Sequence, residues 1–211
     1  MLQFFQLLCA LVLLAAAPAA PAAGDVGILD RLTGEVMVKS GSGNTFRATA
    51  FMKVREGDML TLPAGSEAQI VYFDAKRREL WKGASAFKAG ADGSIPVTGK
   101  AASVSETKGV PNRESLVQAG NVQRLGSLTL RSARPFPDDA AIARAHADYL
   151  QWTAATGPDD ILPELSMIGL IQERRQPELL TPYLEALQRK QPNRPEVKAL
   201  VEQYQHPAGK P

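Results

Sequence analysis

The sequence predicts a segregated α+β fold: an N-terminal all-β part, a small sandwich or barrel, followed by an all-α helical-hairpin module. Three observations carry this. From Val26 to about Thr98, apolar residues alternate with a period of two in short runs punctuated by glycine turns. After Pro137 they recur instead at three- and four-residue spacing. Between the two regimes, Arg131-Ser132-Ala133-Arg134-Pro135-Phe136-Pro137 carries two prolines, which bias the residues before them to extended backbone and end the β pattern. The expected division is a signal peptide at 1-23, a β domain at 24-134, a helical domain at 135-206 and a disordered tail at 207-211.

The first residues set the compartment. Leu7 to Ala17 is an uncharged apolar run ending in Pro18-Ala19-Ala20-Pro21-Ala22-Ala23, the pattern of a signal peptide's hydrophobic region and small-residue cleavage site. Cleavage is expected after Ala22 or Ala23. Met1 to Gln6 departs from the pattern in having no Lys or Arg. The alternative is an uncleaved anchor, but a spanning helix needs ~20 apolar residues and this run breaks at Pro18 and Pro21. Cys9, the only cysteine, stands before most of the apolar run, and Gln6-Leu7-Leu8 lacks the small residues that a lipid attachment site requires. The mature chain is then a periplasmic protein without cysteine, which excludes disulfides, thiolate metal sites and cysteine nucleophiles.

The strands follow in order. Val26 to Leu32 is the first, Glu35 to Lys39 the second, and Ser40-Gly41-Ser42-Gly43-Asn44 a loop. Phe46 to Val54, Met59 to Leu62, Glu67 to Phe73, Glu79 to Lys82 and Ala84 to Lys88 complete a set spaced for hairpins rather than crossover helices. In Glu67 to Phe73, Ala68, Ile70 and Tyr72 share one face, while Glu67, Gln69, Val71 and Phe73 share the other. One face is wholly apolar and the other half apolar, which predicts a central strand. Trp81, Phe73 and Phe87 are core candidates.

Arg55-Glu56-Gly57-Asp58-Met59-Leu60-Thr61, followed by Pro63-Ala64-Gly65-Ser66-Glu67-Ala68-Gln69-Ile70-Val71-Tyr72-Phe73-Asp74, resembles the FecR-like domain. Leu32-Thr33-Gly34-Glu35-Val36-Met37-Val38 and Ser85 extend that resemblance over residues 26-98. It implies a β module outside the cytoplasm with a binding or scaffolding role, and it names no ligand. The family's best-known task relays transporter occupancy to a cytoplasmic sigma factor, through an anti-sigma segment and a transmembrane helix placed before the β domain. About two dozen residues precede it here, so direct signalling of that kind is not expected. The sequence departs from the family after Asp74, where Ala75-Lys76-Arg77-Arg78 replaces a glycine and a polar residue. Alanine disfavours the positive φ of a tight turn, so a longer or differently bent tip is expected.

Lys76-Arg77-Arg78 is a compact basic cluster with two readings. It can engage phosphate, anionic lipid or an acidic partner, or it can be a solvated hairpin tip whose charges keep an edge from pairing. Ala89 to Asn112, rich in Gly, Ala, Ser, Thr and Lys, reads as a mobile loop or linker. Glu114 to Arg131, with Leu116 and Val117 before Gly120-Asn121 and Leu125, Leu128 and Leu130 after it, reads as a terminal hairpin returning to the sheet.

Four helices are expected beyond Pro137. Asp138 or Asp139 caps the first, with Ile142, Ala145, Tyr149 and Trp152 as its stripe. Asp159-Asp160 caps the second, which carries Leu165, Ile168 and Ile171 and ends at Arg174-Arg175. Thr181 caps the third, with Pro182 in its first turn and Tyr183, Leu184 and Leu187 on its stripe, and Pro195 opens the fourth, with Val197, Leu200, Val201 and Tyr204. Tyr183, Ala186 and Pro192 resemble the second helix of a tetratricopeptide-type repeat, although the proline falls one place late. The Tyr149 and Trp152 stripe is read as core, with a peptide groove as the alternative.

No catalytic, cofactor-binding or metal site is expected. His146 and His206 have no ligand partner at metal spacing. Asp58 and Asp74 sit at turn positions, where backbone hydrogen bonding explains an aspartate. A net charge of +2 gives no basis for nucleic-acid binding. The expected function is therefore an exported, non-catalytic binding or scaffold module, with an envelope protein or glycan as its partner. The alternatives are an accessory role in transmembrane signalling or transport regulation and an enzyme acting on envelope polymer.

Overall fold

A computed structural model describes residues 24-123 and 139-205. The stretch read as a signal peptide (with Cys9), the Leu125 to Pro137 segment, Asp138, His206 and the tail lie outside the described residues. Ten strands come first: β1 Asp25–Thr33, β2 Met37–Lys39, β3 Thr45–Arg47, β4 Lys53–Arg55, β5 Met59–Leu62, β6 Glu67–Tyr72, β7 Arg77–Lys82, β8 Ser85–Ala89, β9 Ser94–Thr98 and β10 Ser103–Glu106. The helices are α1 Arg113–Ala119, which runs into a 3₁₀ turn, then α2 Asp139–Ala155, α3 Leu162–Glu173, α4 Thr181–Lys190 and α5 Pro195–Gln205. The β and α parts are segregated along the chain.

The strands form two antiparallel sheets, ordered β10-β7-β6-β1-β4 and β3-β2-β5-β8-β9. They close on a core that includes Leu29, Val38, Leu60, Ile70, Trp81 and Phe87, with the Trp81 and Phe87 rings stacked at 4.4 Å. Such a ring pair contributes about 0.5–1.5 kcal/mol beyond the area it buries. Strand β6 shows why the first sheet is covered on both faces. Ala68, Ile70 and Tyr72 belong to the sandwich core, whereas Val71 and the adjoining Phe73 pack with the helices. The half-apolar second face of that strand is thus the seat of the helical layer, and β6 lies at the centre of its sheet.

Three stretches differ from the sequence reading. Phe46 to Val54 is not one strand: β3 belongs to the second sheet and β4 to the first, and the chain changes sheet through a turn in which Phe51 takes φ +67°. Residues 89-112 are not a featureless linker, because β9 and β10 close one edge of each sheet. Both strands are largely exposed, so neither shows the alternation that betrays a strand, and Pro96 is tolerated because β9 is an edge. Finally, Glu114 to Gln123 is helical rather than a hairpin arm. Asn112 caps α1, its side chain accepting from the Ser115 N–H at 2.9 Å.

Helix α3 is the hub of the α part, packing against α1, α2 and α4. It buries Leu165, Ile168 and Ile171, as its spacing predicts, but also Glu164, Met167 and Gly169. Gly169 is where α1 crosses: a Cβ there would lie 1.9 Å from the Gln118 carbonyl oxygen. The helix ends in a Schellman motif, with the Gln176 N–H donating to Ile171 O and the Arg175 N–H to Gln172 O. Arg175 takes φ +58° at the position that usually holds glycine. Asp160 does serve the start of α3, its Oδ1 accepting from the Leu162 N–H at 3.1 Å. Thr181, by contrast, is the first residue of α4 rather than its cap.

Candidate functional site

The second sheet keeps one face open. Its row Phe46, Val38, Leu60, Phe87 and Pro96 contains the core residues Val38, Leu60 and Phe87. The rows on either side point the opposite way, by the two-residue period of a strand. One is Thr45, Lys39, Met59, Lys88 and Ile95, and the other is Arg47, Met37, Thr61, Ala86 and Thr98. Lys39, Arg47 and Lys88 are exposed, Met37 and Met59 are half-buried, and Ile95 and Val97 are 56% and 53% exposed. The five strands carry three cations and no Asp or Glu. Arg47 reaches Glu35 at 3.9 Å in an exposed pair, a contact of little energetic weight. Among the described residues, Lys39 and Lys88 form no ion pair.

A second polar site lies between the first sheet and the helices. In β1, Leu29 pairs with Ile70 and Arg31 with Gln69, so Asp30 bulges out of the ladder. The bulge places its buried carboxylate in a recess of about 210 Å³ between the sheet and the Gly157 to Asp160 loop. Arg78 enters from β7, with Nη2 3.0 Å from Asp160 Oδ2 and 3.9 Å from Asp30 Oδ2. Arg194 donates to the Asp30 backbone oxygen, lies 3.4 Å from Glu196 and stacks over Phe51 at 5.0 Å. Burial pushes the Asp30 carboxyl above the usual carboxylate range, against the opposing pull of Arg78 and Arg194. Burial also lowers the Arg194 guanidinium, against the stabilising charges of Asp30 and Glu196.

A third cluster belongs to the helices. Buried Glu164 holds Lys190 at 2.9 Å and accepts from the Tyr149 hydroxyl at 3.2 Å. Burial, reinforced by Glu164, pushes the Tyr149 phenol up to about 12. His146 Nδ1 lies 2.7 Å from the Tyr183 hydroxyl, and the Tyr149 and Tyr183 rings meet edge to face at 5.2 Å. Trp152 is buried in the helical core. These residues tie α2, α3 and α4 together.

No family model, curated protein or solved structure matches this chain.

The structure corrects both readings of the basic cluster. Lys76, which takes the positive φ of the β6–β7 turn, donates to Val110 O at 3.1 Å. Arg77 pairs with buried Glu79 at 2.6 Å, and Arg78 faces Asp160. These three cations are internal fasteners, neither a docking patch nor a solvated tip. Asp58 accepts from the Arg55 N–H at 2.9 Å and so serves its own turn, whereas Asp74 pairs with Arg113 of α1 at 2.7 Å and ties the β6–β7 turn to that helix. Sequence reasoning missed the open face, because its residues come from five strands whose order is set by pairing. It also missed Asp30, although a lone carboxylate inside Val26 to Leu32 was a usable signal.

Proposed function

We propose that this chain is an exported, non-catalytic binding module of the FecR-like kind that docks an acidic envelope protein on the open face of its second sheet. The observation that carries the reading is the composition of that face: Lys39, Arg47 and Lys88 spread among Met37, Met59 and Ile95, with no carboxylate from any of the five strands. Lys39 and Lys88, which form no ion pair among the described residues, favour a negatively charged surface and speed its approach, and Arg47 is held only by an exposed contact to Glu35. The apolar side chains between them supply burial, and methionine adapts to irregular partners. A second copy of this face is disfavoured, because three like charges would meet three. A bilayer is less suited, since its binders present aromatic or leucine wedges that these strands lack on this side.

The test is a photo-crosslinking amino acid at position 59 in the native envelope, with and without Lys39→Glu and Lys88→Glu. The expected result is a discrete adduct to an acidic protein segment, lost on charge reversal and weakened by salt. Equal labelling from exposed position 150 on α2, or an adduct indifferent to charge reversal, refutes the reading. Labelling of glycan or lipid alone also refutes it.

A further inference from the structure

The open edge of the first sheet has the geometry of a pairing surface, and it is separate from the open face of the second sheet. β10 ends its sheet, pairing with β7 on one side. From Ile95 to Glu106 every residue is exposed except half-buried Ala102. The Thr107 N–H donates to Lys76 O at 2.8 Å, one step beyond the Glu106–Arg77 pair. Hydrogen-bonded and non-hydrogen-bonded pairs alternate along an antiparallel ladder, so Ser105 and Ser103 also bond to β7. Val104, Glu106 and, by continuation, Ala102 therefore turn their N–H and C=O groups to the open side. Val104 is 55% exposed there. Sheet edges are normally blunted by a cation, a proline or a bulge. Thus β3 carries Arg47, β4 carries Lys53 and Arg55, and β9 carries Pro96. Among the described edge strands, β10 alone carries neither cation nor proline, and its ladder with β7 has no register shift.

We propose that β10 pairs antiparallel with β10 of a second copy of this chain, across a two-fold axis at Val104, joining the two first sheets into one. In that register Val104 faces Val104 and Ala102 faces Glu106. The residues whose backbone groups point outward then meet one another, giving about six main-chain hydrogen bonds, two for each of three pairs. The valines bury each other at the axis, and no like charges stand opposite each other within the paired strands. Glu106 meets a methyl group, and Lys100 of the second copy, two positions from Ala102, is its diagonal neighbour of opposite sign. An axis at Ser105 keeps the Val104–Glu106 pairs alone, about four bonds, and leaves the valines apart. Pairing with β9 of another copy is disfavoured, because Pro96 lacks an N–H and a head-to-tail contact does not close. The contact is small, so the dimer is weak and concentration-dependent.

The experiment is sedimentation velocity of the purified protein between about 10 μM and about 1 mM, where a dimer is expected with a dissociation constant of about 100 μM or tighter. Val104→Lys, a change at an exposed position, sets two like charges opposite each other and is expected to weaken the dimer at least about tenfold. Val104→Pro removes an N–H that β7 does not use and is expected to do the same. Circular dichroism checks that each variant is folded, and Val104→Lys decides where the proline variant is not. Disulfide formation under mild oxidation, in a Cys9→Ser background, reads the register: Val104→Cys should join two copies, and Ser105→Cys should not. A protein that stays monomeric up to about 1 mM overturns the proposal, and this is the outcome if the edge instead accepts a strand of another protein. A dimer that survives Val104→Lys, or crosslinking at position 105 in place of 104, overturns it as well. Because position 59 lies on the other sheet, failure here leaves the test of the open face untouched.

Discussion

Gly169→Ala tests how tightly the helical layer is built. The new methyl carbon would stand 1.9 Å from the Gln118 carbonyl oxygen and 2.8 Å from its carbonyl carbon. Both are backbone atoms of α1, so no side chain can swing aside. Taking about 3.2 Å as the closest comfortable approach, α1 and α3 must separate by about 1.3 Å at this point. A gap of about 0.5–1 Å already forfeits a quarter to a half of a contact's dispersion energy, and Leu116, Ala119, Leu165 and Ile168 share the core at this crossing. Overpacking of this severity costs about 3 kcal/mol, while alanine in place of glycine returns about 1 kcal/mol of helix propensity. The net loss is about 2 kcal/mol. Urea unfolding should show a midpoint lower by about 1 M, and the melting temperature should fall by about 4–8 °C. Gly41→Ala, where the methyl meets nothing within 4 Å, should stay within about 0.5 kcal/mol of the parent. A Gly169→Ala protein as stable as the parent, or more so, would show that the crossing is not as close as described.

Three further outcomes follow from the same structure. Arg175→Gly should stabilise the protein by about 0.5–1 kcal/mol in urea melts, because glycine adopts the left-handed φ of the α3 terminus without strain; a loss of stability would mean that the arginine side chain matters more than its backbone. Glu79→Ala should cost about 2–3 kcal/mol, since its carboxylate receives Arg77, the Trp81 indole N–H and the Ser94 N–H; a cost below about 1 kcal/mol would show the network to be replaceable by water. Asp30 supplies a pH signature. Its carboxyl is raised above 3.8 by burial, with Arg78, Arg194, Arg31 and Asp160 around it. The folded state therefore binds this proton more tightly than the unfolded chain, and its contribution to stability falls as pH rises from the unfolded value through the folded one. Asp30→Asn removes that fall, so the variant should gain on the parent as pH increases across this window, read as urea midpoints. A difference independent of pH, or one of opposite slope, refutes the assignment.

The sequence alone determined the period of each segment, and with it the segregated α+β class. Two-residue alternation in Glu67 to Phe73 even announced a central strand, because Val71 and Phe73 break an otherwise polar side. The stripes of α3, α4 and α5 were equally legible, since their buried faces repeat at helical spacing. Periodicity is a local record of burial, so it fades wherever burial is slight or the element is short. That is why exposed β9 and β10 read as linker, and why seven-residue α1 read as part of a hairpin. Tertiary structure alone decided that Lys76, Arg77 and Arg78 point to three separate internal partners. It also decided that Asp30 meets a loop about 130 positions away in the chain, and that Lys39, Lys88 and Ile95 share one row. Such neighbours are created by strand order, register and the docking of helices, which depend on the whole chain at once rather than on any window of it.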